Sequence, residues 1–323
     1  MPVAGDLSPA ISSRSSSPLV PTVFHEPWWL DVVSAGTYRM AEFSAGGSCI
    51  GRLPYLLSRH RGLQIVGMPM LTHFLGPAID PGPGKGTTQL LRTLSTAKDL
   101  IRQLPKAASV WFKLHRGTTD TLAFQALGYT AEVQFTSEVA PAPERELWAG
   151  LRDTTRRVIR RATDTLVAEE TTDPDLFMHL YEQNLQERGL RNTYDSAICK
   201  QVLAEAVRRG AGRMLIATEG GTPKVGVFTI WDDSAAYYLL TTRSLESGNG
   251  GISLLIWEAI KHAAARGIIF DFDGLRPSGD IQFFAGFGGT LKPRYFVHRS
   301  SLAYRALDRL TRSLPAKEVA RGL

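Results

Sequence analysis

Residues 267–289, GIIFDFDGLRPSGDIQFFAGFGG, constrain the fold of this chain more than any other segment. Ile268-Ile269-Phe270-Asp271-Phe272-Asp273 reads as a buried strand, and Asp271 and Asp273, two apart, fall on the same face of it. A carboxylate on an apolar strand is costly to bury unless a cation or hydrogen-bond donors meet it. Some other element must therefore bring charge to this strand, and its end is a candidate site. A turn at Gly274 follows, then a short amphipathic turn around Ile281, Phe283 and Phe284, then the small-residue elbow Gly286-Phe287-Gly288-Gly289.

The pattern along the chain divides it into four parts. Residues 1–22 are rich in Ser and Pro, lack the charged-then-apolar layout of a signal peptide, and are expected to be a disordered tail. Residues 23–143 carry a helix opened by Pro27, paired strands at 38–43 and 48–57, an apolar loop at 67–77, a helix at 88–103, a strand at 108–114, a helix at 118–127 and a strand through Phe135. Pro141-Ala142-Pro143 is the expected seam. The pattern restarts over 144–300, with helices at 144–163, 173–189, 195–209 and 252–266 and strands at 213–218, 224–231, 235–242, 268–273 and 293–299. Residues 301–323 begin with an amphipathic helix bearing Arg305, Arg309 and Arg312, expected to cap the domain. The fold class is α/β, with two related halves of mostly antiparallel strands flanked by helices.

No apolar run approaches the length of a membrane span. Two cysteines, Cys49 and Cys199, exclude a disulfide framework and suit a reducing cytoplasm, the expected location. The excess of 37 basic over 31 acidic residues is compatible with an anionic partner such as tRNA, a nucleotide sugar or coenzyme A.

Residues 82–87, GPGKGT, fail the phosphate-loop pattern because Gly86 separates Lys85 from Thr87. The seven histidines make no metal-ligand spacing with the cysteines, so no metal site is expected. Neither a Gly-x-Ser-x-Gly elbow nor a cysteine nucleophile motif is present, and covalent catalysis has no support. Two features do point to anions. Arg152, Arg156 and Arg160 form one row of a helix and Arg157 and Arg161 a second, with Leu147, Trp148, Leu151, Val158 and Ile159 expected to be buried. Phosphates or carboxylates would neutralise these five charges; a solvated basic face relieved by Asp153 and Asp164 is the other reading. Ser247-Gly248-Asn249-Gly250-Gly251 lies between the strand ending in Arg243 and a helix, a layout whose free backbone N–H groups receive an anion.

Taken in order, Pro27-Trp28, residues 50–54 and 74–77, Gly128-Tyr129, Trp148 with residues 157–162, residues 254–260, Phe270-Asp271-Phe272-Asp273-Gly274 and Phe287-Gly288-Gly289 resemble the Fem-type branch of the GNAT acyltransferase superfamily over about residues 24–300. The resemblance implies two tandem GNAT-like domains with a cleft between them. It also implies transfer of an amino acid from aminoacyl-tRNA to an amine acceptor, either a peptidoglycan precursor or a small peptide-like natural product. No permanently bound cofactor is implied. Arg156, Arg157, Arg160, Arg161, Arg243, Gly248, Asn249 and Gly250 would then meet phosphates or substrate, and Asp271 or Asp273, with Tyr238 and Thr241 beside them, would position or deprotonate the amine. Two departures stand out. Leu245 occupies the place of the Arg or Gln that coenzyme A-using relatives carry before the glycine loop, and Phe284 stands where Fem-type sequences often have lysine. Lys292 or Arg294 could supply that charge from the next strand. An acyl-coenzyme A N-acyltransferase and a non-catalytic tRNA- or nucleotide-binding relative are the alternatives.

Overall fold

The computed structural model describes residues 17–248, 250–274 and 280–306. Most of the expected N-terminal tail, and the C-terminal helix beyond Ala306, lie outside the described residues. In the first half a 3-10 turn at Val23–His25 leads into α1 (Pro27–Ser34), β1 (Arg39–Ala45), β2 (Ser48–His60), β3 (Leu63–Gly67), β4 (Ala78–Ile79), α2 (Gly86–Arg102), β5 (Ser109–Lys113), α3 (Leu122–Gln125) and β6 (Thr130–Val139). The second half holds α4 (Glu144–Gly150), α5 (Asp153–Thr163), β7 (Val167–Thr171), α6 (Pro174–Glu187), α7 (Ser196–Arg208), β8 (Gly212–Glu219), β9 (Thr222–Trp231), β10 (Ala235–Arg243), α8 (Gly250–Ala265), β11 (Ile269–Asp271), α9 (Asp280–Ala285) and β12 (Thr290–Ser300).

Local chemistry sets several of these boundaries. Asp173 and Asp195 cap α6 and α7, each carboxylate accepting two backbone N–H bonds, and Pro174 fills the first position of α6, where its missing N–H costs nothing. The single helix expected over 144–163 is two, because Leu151 and Arg152 are extended and Arg152 N–H donates instead to the Gly286 carbonyl at 3.0 Å. Val158, expected to be buried, is 36% exposed; the turn at Leu151 rotates α5 so that Ile159 and Ala162 face the core. The pattern also missed β7, an edge strand whose Val-Ala-Glu-Glu-Thr sequence buries no residue fully.

The strands form one sheet in the order β1-β2-β3-β5-β12-β6-β11-β10-β9-β8-β7, with β4 paired to β2 off this path. Most pairs are antiparallel; β3 with β5 and β10 with β11 are parallel. The last strand does not stay with its own half. β12 lies between β5 and β6, while β6 passes across and pairs with β11 through Phe270↔Val139 and Asp271↔Glu138. The sheet is therefore continuous across the Pro141–Pro143 seam. One apolar cluster packs α1, α6 and α7 on one face of β8–β10; a second packs α5 and α8 on the other. A third fills the first half around Leu53, Val66, Leu100 and Phe112.

Candidate active site

The parallel pairing of β10 with β11 lasts three residues, Ala235–Tyr237 against Ile269–Asp271. Beyond it the strands part. Residues 268–273 were expected to form one strand, but β11 ends at Asp271: Asp273 has φ +60° and Gly274 φ +107°, turning the chain away. β10 continues to Arg243 with a register slip at Leu239, a bulge that bends it away from β11. A wedge opens in consequence, and among the described residues no strand pairs the β11 side of β10 from Tyr238 to Arg243.

On the α8 face the wedge is walled by aromatics. Tyr238, 9% exposed, meets Phe284 at a centroid distance of 6.0 Å, and Phe284 meets Phe272 at 4.6 Å. Phe284, where Fem-type relatives often carry lysine, thus belongs to a packed cluster. Thr241 is buried, its hydroxyl donating to the Gly226 carbonyl at 3.4 Å.

On the α6 face lies a polar cluster. Asp271 is wholly buried and accepts from Thr136 Oγ1 at 2.6 Å, from Arg294 Nη2 at 2.7 Å and from the Asp273 N–H at 2.9 Å. Arg294 is also paired with Glu138, and Arg116 reaches Glu138 at 3.3 Å. Burial raises the Asp271 pKa, opposed by Arg294. Burial lowers that of Arg294, but Asp271 and Glu138 outweigh it and leave the guanidinium raised. Two carboxylates and two guanidiniums thus neutralise one another at the junction of β11, β6 and β12. Asp271 is the strut of this junction. Asp273 takes no part in that ion-pair chain: its carboxylate faces His73 Nδ1 from the apolar loop 68–77. Burial, with Lys113 adding, lowers His73 to about 3.

The other sequence-predicted residues separate into two places. Arg294 joins the Asp271 cluster, whereas Lys292, two residues earlier on β12, is exposed. Arg157, Arg160 and Arg161 are exposed on α5, and Arg156 is turned back on Asp153 and on the Trp148 and Ala149 carbonyls. α5 packs along α8, and a Cβ built on Gly250 would sit 3.3 Å from Ala162 Cβ and 3.9 Å from the Val158 carbonyl. Arg161, one turn on from Val158, therefore lies beside the N-terminus of α8. Arg243 donates to the Ser247 carbonyl at 3.0 Å, Gly248 is exposed in the same loop, and Asn249 lies outside the described residues. Sequence reasoning missed Thr136, Glu138, Arg116 and His73. Thr136 and Glu138 carry a readable signal, two polar residues at strand period beside Val139; Arg116 and His73 come from loops, where no periodicity speaks. Among the described residues no cluster of side chains could hold a metal ion, and no helix is long and apolar enough to cross a membrane.

A sheet split by a wedge, with a glycine loop and helix N-terminus at its open end, is the architecture of the GNAT fold. Residues 149–283 match the family described as "Acetyltransferase (GNAT) domain". Solved structures extend the likeness over both halves. FemX is 14% identical, with 88% of this chain and 93% of that one covered and a TM-score of 0.62. The C-terminal domain of a putative lysylphosphatidylglycerol synthetase from Agrobacterium fabrum is 16% identical, with 91% and 93% covered and a TM-score of 0.58. L-PGS from Bacillus licheniformis is 13% identical, with 88% and 90% covered and a TM-score of 0.52. At these identities the likeness is one of fold, and it agrees with the Fem-type resemblance of the sequence. No curated protein sequence matches this chain.

Proposed function

We propose that this acyltransferase takes an aminoacyl group from aminoacyl-tRNA and joins it to the amine of a peptidoglycan precursor or small peptide-like metabolite. The observation that carries this reading is the exposed arginine face of α5 beside the N-terminus of α8. One pyrophosphate would be served by the loop and helix N-terminus alone; guanidiniums spread along an adjoining helix suit a longer phosphate backbone. The names of the fold neighbours, FemX and lysylphosphatidylglycerol synthetase, support the same direction.

In this reading the open edge of β10 holds the extended acyl donor by backbone hydrogen bonds, and the wedge orients its ester carbonyl. The acceptor amine gives up a proton to the Asp273–His73 pair, its lone pair attacks the carbonyl carbon, and a C–N bond forms as the ester C–O bond breaks. The proton leaves with the ribose oxygen. No covalent enzyme intermediate is required, in keeping with a sequence that carries neither a Gly-x-Ser-x-Gly elbow nor a cysteine nucleophile motif. Asp271 holds the floor of the site, and Tyr238 and Thr241 line its wall.

The glycine loop also favours a second reading, an acyl-coenzyme A donor. Incubation with a mixture of charged tRNAs and, separately, with acetyl-coenzyme A separates the two. Discharge of one or more aminoacyl-tRNAs, abolished by RNase, is the expected result; RNase-insensitive discharge of acetyl-coenzyme A alone would overturn the tRNA reading.

A further inference from the structure

Strands β6 and β12 alternate polar and apolar residues as half-buried strands do, yet part of their apolar row stays in water. On β6, Val133 and Phe135 are in step with Val139, which packs under α5 and α8, while Glu132 and Gln134 fall on the opposite face. The register sets Val133 opposite Tyr295, Phe135 opposite Pro293 and Ser137 opposite Leu291, so the row continues across both strands. Val133 is 55% exposed, Phe135 47% and Leu291 62%; Pro293 is exposed and Tyr295 half-buried.

The place of this row makes its exposure unusual. β6 and β12 lie in the middle of the sheet rather than at an edge. Toward one end the same face is covered through Phe124, Tyr129 and Val297, and toward the other by α5 and α8. Between these two layers the floor is bare among the described residues. An alternating strand turns its apolar side to a core and its polar side to water. Here the apolar side is present and its cover is not.

The chemistry of the row decides what fits it. None of its five side chains is charged. A nucleic acid strand or an anionic bilayer selects basic residues, which this row lacks. The row shows roughly 400 Å² of apolar surface. A protein interface of standard size buries about 800 Å² on each partner, a little over half of it apolar, so the row suffices as the apolar part of one. In a two-fold pair, side chains near the axis meet their own copies, and a charge there would face a like charge. An uncharged row meets that condition.

We propose that this face is the interface of a homodimer, in which a second copy of the chain packs its own β6–β12 row on this one about a two-fold axis. Phe135 and Tyr295 supply the aromatic anchors, with Val133, Leu291 and Pro293 around them. The inference concerns assembly and stands whichever acyl donor the wedge takes.

The test is sedimentation equilibrium of the full chain from about 1 to 100 μM, a span that brackets a micromolar dimer. Wild type rises to the mass of two chains, and Phe135→Glu and Leu291→Glu each raise the dissociation constant about tenfold or more. Leu91→Glu on α2, equally exposed at 62% but outside the row, keeps the wild-type constant. A mass of one chain throughout overturns the proposal, and flotation of that monomer with phosphatidylglycerol vesicles would give the face to a bilayer instead. A dimer that Leu91→Glu dissociates and the row variants do not also overturns it. Should the row variants fail to fold, hydroxyl-radical labelling of wild type replaces them. Phe135 and Leu291 are then labelled less in concentrated than in dilute protein, and equal labelling overturns the proposal.

Discussion

Asp271 and Asp273 share a motif but not a role. Asp271 is buried with Arg294 and Thr136; Asp273 sits in left-handed backbone against His73. Asp271→Asn removes one anion from a balanced set and leaves Arg294 to share Glu138 with Arg116. Breaking such a buried pair costs about 3–5 kcal/mol, so a clear drop in the denaturation midpoint is expected. Asp273→Asn tolerates the same backbone, since asparagine is enriched at positive φ, and its midpoint should stay within about 1 kcal/mol of wild type. Its transfer rate should nevertheless fall by about a hundredfold, the usual scale for a missing proton acceptor. A folded Asp273→Asn with full transfer activity would remove Asp273 from the chemistry. The sequence carried the need for a partner to Asp271, because two acids on an apolar strand demand one. It carried Arg294 only as an arginine on the next strand. Which of Glu138, Arg116 and His73 would meet these acids is fixed by crossings between distant segments, and no local pattern encodes that.

At the scale of elements, amphipathic helices and alternating strands were legible, and the failures fell where packing overrides pattern. β7 buries little and so shows little alternation, and the α4–α5 break is imposed by the elbow after α9. That elbow explains its glycines. Gly288 has φ +76°, and a Cβ there would lie 2.6 Å from the Gly150 carbonyl oxygen. Gly288→Ala combines backbone strain with a clash against main chain that cannot rotate away, and should cost about 2 kcal/mol or more in thermal or denaturant unfolding. α5 behaves in the opposite way. Arg157 and Arg161 are exposed, so replacing both with Gln should leave the unfolding midpoint unchanged. Each guanidinium withdrawn from a phosphate lowers the salt dependence of binding by just under one unit in a plot of log K against log salt. tRNA binding measured across a range of salt should therefore show a slope shallower by about 1–2; an unchanged slope would place the phosphates elsewhere.

At the scale of the whole molecule, β12 seated between β5 and β6, and β6 paired with β11, leave neither half with a complete sheet. Fragments cut at 143/144 should not fold separately, and the intact chain should unfold in one calorimetric transition; two separable transitions would contradict this. The same junction predicts the response to acid. His25 and His115, 4% and 8% exposed, lie 5.2 Å apart between ring centroids, against loop 68–77 of the same half and within reach of the charge of Arg294 on β12. Each neutral ring is satisfied at both nitrogens. Nε2–H of His25 donates to the Gly76 carbonyl and that of His115 to the Pro77 carbonyl, while the Nδ1 atoms accept from Thr22 Oγ1 and the Gly117 N–H. A proton on His115 Nδ1 would displace the Gly117 N–H it accepts, while at His25 the Thr22 hydroxyl would turn to accept; either proton places a charge beside a second imidazole. Burial accordingly lowers His115 to about 4 and His25 well below the usual range, with Arg294 adding to the effect on His115 and His115 to that on His25. Because the unfolded chain takes up these protons near pH 6.5 and the folded chain does not, stability is complete above that pH. It falls as pH drops toward the folded pKa values, by about 2 kcal/mol per histidine at pH 5. Denaturant midpoints measured at pH 7 and pH 5 should show this loss, and His115→Gln, which cannot take up the proton, should show less of it. A midpoint independent of pH across that interval would mean that the junction opens to protonate its histidines without cost.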